Sequence, residues 1–322
     1  MDMAFVATRP GGPEVLQWTE VETPVPGPGE VLLRHTAIGV NFIDTYFRSG
    51  LYPWPEKTLI PGGDAAGVIE AVGQGVDLPV GARVAYVMRT GAYRTRRVVP
   101  ADRLVLLPEG VSDAVAASSM LKGLTAQYLV TSSYPVKAGD TVLVHAAAGG
   151  VGLLLGQWLA LLGATAIGTA GGPDKVALAG RHGYAEVIDY TAGDFVPRVQ
   201  EIAGPKGCAA VYDSVGRDTW RGSLACLGRF GVFVNFGQSS GPIEGFGLPD
   251  LARGSLYACR PTLFDYIADR ADLQMRAADL FGRIAAGEIR ADVITTRPLS
   301  EAPQAQADLV ARRTTGATVL IP

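Results

Sequence analysis

Residues 141–163 read TVLVHAAAGGVGLLLGQWLALLG. The apolar strand-forming run Thr141–His145 enters a turn of small residues, and an apolar helical run follows over Val151–Leu162. Hydropathy alone would take the uncharged stretch Thr141–Pro173 for a membrane span. Gly149, Gly150, Gly152, Gly156 and Gly163 punctuate that stretch, however. A strand–helix–strand unit covered on both sides by protein has the same apolar density. The segment therefore predicts the start of a buried parallel sheet.

Downstream the alternation continues. Strands are expected at Ala164–Thr169, Glu186–Asp189, Ala209–Asp213 and Gly231–Phe236, with helices at Lys175–His182, Phe195–Ala203 and Trp220–Leu227. Strands alternating with helices predict right-handed crossovers and a ligand site at the strand ends. Upstream, Glu30–Ala37, Gly67–Val72, Arg83–Val87 and one or two strands within Val98–Leu107 lie between Pro/Gly turns, as in a partly open barrel. Helical spacing begins near Ala114, over Asp113–Leu129. After Gly254 come a strand, a helix around Ala271–Ala286, a strand near Val293–Arg297, a helix and a final strand, read as returning to the first domain. The expected fold is α/β, with a doubly wound parallel sheet domain at 123–260 and a β-rich domain at 1–122 completed by 261–322.

Composition limits the function. The 322 residues are 48% hydrophobic and 18% charged, enough for two domains with large cores. The net charge is −3, and the basic clusters Arg94, Arg96, Arg97 and Arg312, Arg313 are too thin for a nucleic-acid surface. Both clusters read as solvated faces. Cys208, Cys226 and Cys259 fit no disulfide framework, and the N-terminus MDMAFVATRPGG does not read as a signal peptide. A soluble, cytoplasmic protein with no nucleic-acid or membrane partner is the expectation.

The turn at 145–152 carries the chemistry. Aligned to G-x-G-x-x-G, its key positions are Ala147, Gly149 and Gly152, so the first glycine is an alanine. Gly149 and Gly150 let backbone amides approach a diphosphate, Gly152 lets the helix pack against the strand, and the helix dipole faces the phosphates. The next strand ends Gly168-Thr169-Ala170-Gly171-Gly172 without the acid that would hold an unphosphorylated ribose. Lys175 follows and suits a 2′-phosphate; its competitor Asp174 sits after Pro173, at a helix start. NADPH is the expected cofactor.

Several segments together identify a relationship. GGPEVL at 11–16, AIGVNFIDTYFRSGLY at 37–52, LKGLTAQYL at 121–129, HAAAGGVG at 145–152, VYDSVGRDTW at 211–220, FGQSSG at 236–241 and the closing RRTTGATVLIP resemble the zeta-crystallin-like quinone oxidoreductases of the medium-chain dehydrogenase/reductase superfamily. The resemblance spans essentially the whole chain. It implies a Rossmann domain set into a GroES-like catalytic domain, a homodimer and NADPH. It implies cofactor contacts from Phe42, Tyr46, Tyr128, Gly150, Val151, Lys175, Tyr190, Phe236, Gly237, Ser240, Leu263 and Arg312, to which the reading of the glycine turn and the next strand end adds Gly149, Gly152 and Gly171. Lys175 and Tyr190 would hold the 2′-phosphate end, and Arg312 would reach in from the C-terminal segment. The superfamily turn placed before a helix at 65 often reads G-x-E, and here it is Gly62-Gly63-Asp64. The loop Ala170–Lys175 also lacks the serine or threonine that some members place near the 2′-phosphate.

No metal is expected. Asn41 stands where zinc-dependent relatives would place a ligand cysteine, and His35, His145 and His182 form no ligand cluster. Without a Lewis acid the acceptor must already be electrophilic, such as a quinone or an enone. Hydride arrival makes a phenolate or enolate, which needs hydrogen-bond donors. Asn41, Tyr46 and Tyr52, from one aromatic-rich loop, are the catalytic candidates, Asn41 donating its amide to the acceptor oxygen or the carboxamide. The same tyrosines also suit simple packing. Asp44 and Arg48 are spaced to pair with each other. Two other functions fit the sequence: an NADPH-dependent enoyl or alkenal reductase, and a non-catalytic NADPH- or RNA-binding crystallin-like protein. The strand Gly231–Phe236 is the expected sheet edge for dimer pairing.

Overall fold

The computed structural model describes residues 1–322, which divide into two compact units: Thr125–Asp265, and Met1–Leu124 with Tyr266–Pro322. The first of these holds a six-stranded, all-parallel sheet. Its spatial order is Glu186–Asp189, Thr165–Ala170, Thr141–Val144, Cys208–Asp213, Leu227–Asn235, Tyr257–Cys259. Numbered along the chain this is 3-2-1-4-5-6, the order of a Rossmann sheet, and the direction of travel reverses beside Thr141–Val144.

The quoted segment thus supplies the founding strand. Val142, Leu143 and Val144 are fully buried, as a strand covered on both faces requires. The apolar helix beyond the turn, Gly150–Leu161, has only 12 residues, and no helix in the chain is long and apolar enough to cross a membrane. Leu143, Ile167, Val199, Val211, Trp220 and Phe233 form the core on one face. The expected edge strand is not an edge. Leu227–Asn235 is flanked by Cys208–Asp213 and by Tyr257–Cys259, which pairs Tyr257 with Val232 and Cys259 with Val234. The short strand beyond Gly254 adds outside it and is itself the edge.

In the other unit, the 11-residue strand Glu30–Val40 is the spine of a seven-stranded sheet. It pairs antiparallel with Asp64–Val72, Arg96–Pro100 and the C-terminal strand Ala317–Ile321. Val319 lies opposite Gly39 and Leu320 opposite Ile38, so the last strand docks just before Asn41. Ile294–Pro298 runs parallel outside it, and Arg83–Val87 and Val105–Leu106 extend the far side. An N-terminal hairpin, Asp2–Val6 with Gln17–Val21, has an outer strand so exposed that it gives no alternating pattern to read.

Three expectations fail here. Gly62-Gly63-Asp64 leads into the strand Asp64–Val72, not into a helix at 65. Pairing on both sides holds the strand, with Glu30–Val40 along one edge and Arg83–Val87 along the other, and Gly67 lies so close to the Arg34 carbonyl that a Cβ would collide with it. The aromatic-rich stretch after Asn41 is not a loop but the helix Phe42–Ser49, stopped by Gly50 at φ 80°. Nor is the Arg94–Arg97 cluster a solvated face: Arg96 bridges Glu70 and Asp2, and the Arg97 guanidinium stacks 5.2 Å from the Tyr86 ring centre.

Gly152 tests the close helix–strand contact. A Cβ there would strike the carbonyl oxygens of Ala146 and Ala147, which are backbone and cannot rotate away. Gly152→Ala should cost about 1–3 kcal/mol, typical of overpacking a tight site, read as a lower denaturant midpoint with unchanged slope.

Candidate active site

The glycine turn is built as a backbone surface. Gly149 caps the helix Gly150–Leu161 in extended conformation (φ −80°, ψ 169°), no side chain caps that helix, and no acid stands in its first turn. Its amides and the positive end of its dipole are therefore open to an anion. The positive φ in this turn falls on Ala146 (φ 55°), not on Ala147. That is why alanine serves at the first fingerprint position. Ala147 instead donates its N–H to Thr169 O, tying the turn to the next strand.

A buried polar chain beneath the turn was not legible in the sequence. His145 Nδ1 lies 2.8 Å from Thr169 Oγ1, and its Nε2 lies 3.0 Å from Ser223 Oγ. Ser223 and Thr219 hydroxyls donate to Asp213 Oδ2, while Asp213 Oδ1 accepts the Val215 and Gly216 amides. With Ser223 donating to the carboxylate, its lone pair takes the Nε2–H of a neutral His145. Burial lowers the His145 pKa against the pull of Asp213, consistent with that form. The chain ties together the ends of three strands that face the turn.

The 2′-phosphate candidates lie in this unit too. Gly171 lies under Tyr190, whose hydroxyl would be 2.7 Å from any Cβ added there. Gly172 takes φ 87° and donates its N–H to Asp189 Oδ1. Lys175 stands in the first turn of the next helix, Pro173–Gly180, partly buried. At the fifth strand's end, Phe236 N–H bonds to Asp213 O, and Gly237 packs so closely on Ser214 that a Cβ would be 2.7 Å from its carbonyl. The Ser240 hydroxyl donates to Val215 O and accepts from Asp218 N, joining two loops. Tyr128 is buried at the end of the helix Asp113–Tyr128, and Leu263 is buried at the start of a short helix.

The catalytic candidates lie in the other unit. Tyr46 and Tyr52 meet edge-on at 5.3 Å, and Phe42 lies 6.3 Å from Tyr46. Asn41 sits at the head of Phe42–Ser49, but its side chain is turned into a buried polar cluster. Lys122 Nζ donates to its Oδ1 at 2.7 Å, its Nδ2 donates to Asp64 Oδ1 at 2.7 Å, and its backbone N–H goes to Asp44 Oδ2 at 2.8 Å. Asp64 Oδ2 accepts the Leu121 amide. The expected Asp44–Arg48 pair does not form. Asp44 faces Asn41 and Tyr93, while Arg48 reaches Gln306 on the C-terminal helix Ala302–Val310 and the Gly11 carbonyl. Arg312, in the turn after that helix, takes φ 59°. Lys122 and Asp64 were missed; the signal was Lys122 as the one charge after Asp113 in its helical run.

Comparison with known proteins now adds identity. Residues 27–136 match the family described as "Alcohol dehydrogenase GroES-like domain", and residues 150–274 match "Zinc-binding dehydrogenase". A quinone oxidoreductase of Pseudomonas aeruginosa is 49% identical over 315 residues, 97% of each chain. A crystal structure of Escherichia coli quinone oxidoreductase complexed with NADPH superposes with a TM-score of 0.96 at 44% identity, covering 99% of this chain and 100% of that one. A 2-haloacrylate reductase of a Burkholderia species is 43% identical over 332 residues, covering 100% of this chain and 99% of that one. The fold and the site define a member of the medium-chain dehydrogenase/reductase superfamily. Within it, the chain belongs to the zeta-crystallin-like quinone oxidoreductases.

The zinc in one family description has no donor set in this chain. No three His, Cys, Asp or Glu side chains come together where they could share a metal ion. His35 is occupied at both ring nitrogens, by the Arg94 carbonyl and the Tyr86 hydroxyl, as His145 is by Thr169 and Ser223. Cys208 and Cys226 are buried, and burial pushes both thiols up to about 12.

Burial works against the charges of the Asn41 cluster while their mutual attraction favours them: the Asp64 pKa rises, the Lys122 pKa falls, and that of Asp44 is pushed up from 3.8 to about 7. Between those values the folded state holds more protons than the unfolded chain. The Asp44 contribution is therefore complete below about pH 4 and is lost as the pH rises through about 7. Asp44→Asn should remove this slope, so the variant's melting temperature relative to wild type rises from about pH 5 to about pH 8. The opposing slope from His35, lowered by burial to about 3, is common to both proteins and cancels in the difference.

Proposed function

We propose that this chain is a zinc-independent NADPH:quinone oxidoreductase, moving reducing equivalents from NADPH to a quinone. The carrying observation is the uncapped glycine turn, with Lys175 beyond the following strand, in a chain alike over its length to an NADPH-bound quinone oxidoreductase. When bound, NADPH supplies the hydride. Gly149, Gly150, Val151 and Gly152 offer backbone to the diphosphate, and Gly171, Lys175 and Tyr190 hold the 2′-phosphate. Tyr128, Phe236, Gly237, Ser240 and Leu263 complete the cofactor contacts, joined by Phe42, Tyr46 and Arg312. Asn41, Tyr46 and Tyr52 offer donors to the acceptor oxygen, where negative charge grows as the ring or double bond is reduced.

The likeness to a 2-haloacrylate reductase supports a second reading, reduction of a conjugated C=C bond by the same donor. The same donors would then stabilise an enolate. The chain works in the cytoplasm on this proposal, where its three unpaired cysteines stay reduced. It acts as a homodimer that pairs through the edge strand Tyr257–Cys259, whose Tyr257 is 60% exposed.

Purified protein should oxidise NADPH with 1,4-benzoquinone or 9,10-phenanthrenequinone faster than with an alkenal, and metal chelation should leave the rate unchanged. Lys175→Ala should raise KM for NADPH about tenfold or more, losing a charge-assisted phosphate contact, and leave KM for NADH unmoved. Equal use of NADH and NADPH by the wild type, or stoichiometric zinc, would sink this reading. Sedimentation should give twice the 33.7 kDa chain mass; a mass of one chain would rule out the dimer.

A further inference from the structure

We propose that Lys122 is a positioning residue for this reduction: its ammonium locks the Asn41 carboxamide and polarises it, so that the remaining amide N–H is presented to the acceptor oxygen. The inference rests on the reading of Asn41 as an acceptor contact.

The geometry of the cluster is one-directional. An ammonium only donates and a carboxylate only accepts, so Lys122 fixes the amide oxygen and Asp64 fixes the amide nitrogen. The flipped amide would set NH2 against NH3+ and oxygen against carboxylate. Asp64 takes one of the two amide hydrogens, and the other has no acceptor in the chain. Gly39 makes room for this arrangement, since a Cβ there would collide with Asp64 Oδ1 and the Ala117 carbonyl.

The placement of the charge is the second argument. Lys122 is 7% exposed in an otherwise apolar stretch of its helix, and burying an ammonium costs several kcal/mol. A lysine serving only as a structural counter-ion would contact a carboxylate directly. Here Asp64 and Asp44 act on Lys122 at longer range, and the neutral Asn41 amide is interposed between cation and anion. A cation hydrogen-bonded to the amide oxygen draws electron density from the nitrogen and strengthens its free N–H as a donor. That donor gains most when the acceptor oxygen becomes an oxyanion. The effect therefore belongs to kcat rather than to substrate affinity.

A double-mutant cycle reads this directly. Asn41→Ala, Lys122→Met and the double variant are compared for kcat and KM with NADPH and 1,4-benzoquinone, with NADPH binding followed by fluorescence. Lys122→Met should lower kcat about tenfold or more, with both KM values within about threefold of wild type. The double variant should be no slower than Asn41→Ala alone within about twofold, because the lysine acts through that amide. Lys122→Arg, which keeps the charge, should recover part of kcat. Lys122→Met leaves a buried carboxylate without its cation, so the cycle is repeated on an Asp64→Asn background, where that charge is gone. Multiplying losses, a change in KM alone, or an undiminished kcat in Lys122→Met overturns the proposal. Full kcat in Asn41→Ala instead overturns the assignment of Asn41 itself, and the two failures are told apart by that single variant.

Discussion

One buried ammonium constrains the unit built from both ends of the chain. Lys122 lies among two carboxylates and an amide with little water to share, so each neighbour must face it in one orientation. Asp64 is held by the Leu121 amide, Asn41 by both charges, and Asp44 by the first turn of Phe42–Ser49 and the Tyr93 hydroxyl. Gly39 and Gly63 leave the volume that a side chain would otherwise fill. The C-terminal strand and helix secure the same neighbourhood: Val319 pairs with Gly39, and Gln306 links Arg48 to Tyr93. A cluster that would be costly if half satisfied is braced from both ends of the chain.

The nucleotide unit solves a different problem. A surface for phosphates must offer N–H groups and no competing side chains, yet the strand ends beneath it carry polar groups that cannot be left unpaired. The chain His145–Ser223–Asp213, with Thr169 and Thr219, pairs them internally and leaves the first turn of Gly150–Leu161 uncapped. On the proposed reading, binding surface and support are separate layers, one of backbone and one of side chains.

Legibility followed the range of the interactions. The parallel sheet was readable because each strand and helix states its own period, and the glycine turn because its requirement is local. The helix Phe42–Ser49 was hidden by its aromatics, although Asn41, Asp44 and Gly50 supply a start and a stop. The Asp44–Arg48 pair was plausible by spacing alone, but burial gave each residue a distant partner, Tyr93 in one case and Gln306 in the other. The sheet edge was misplaced because a three-residue strand, Tyr257–Cys259, is too short to announce itself.

By itself, then, the sequence determined the order of elements, the Rossmann turn, the lysine beyond the second strand and the family, since these depend on residues near one another along the chain. Tertiary structure alone decided which charges are buried together. Asn41, Asp64 and Lys122 span 81 positions between first and last contact, and no periodicity records that a strand, a second strand and a helix bring them within hydrogen-bond reach. Whether a lysine is a solvated surface charge or a desolvated one gripping an amide depends on what packs over it, which is a property of the fold and not of its neighbours in the chain.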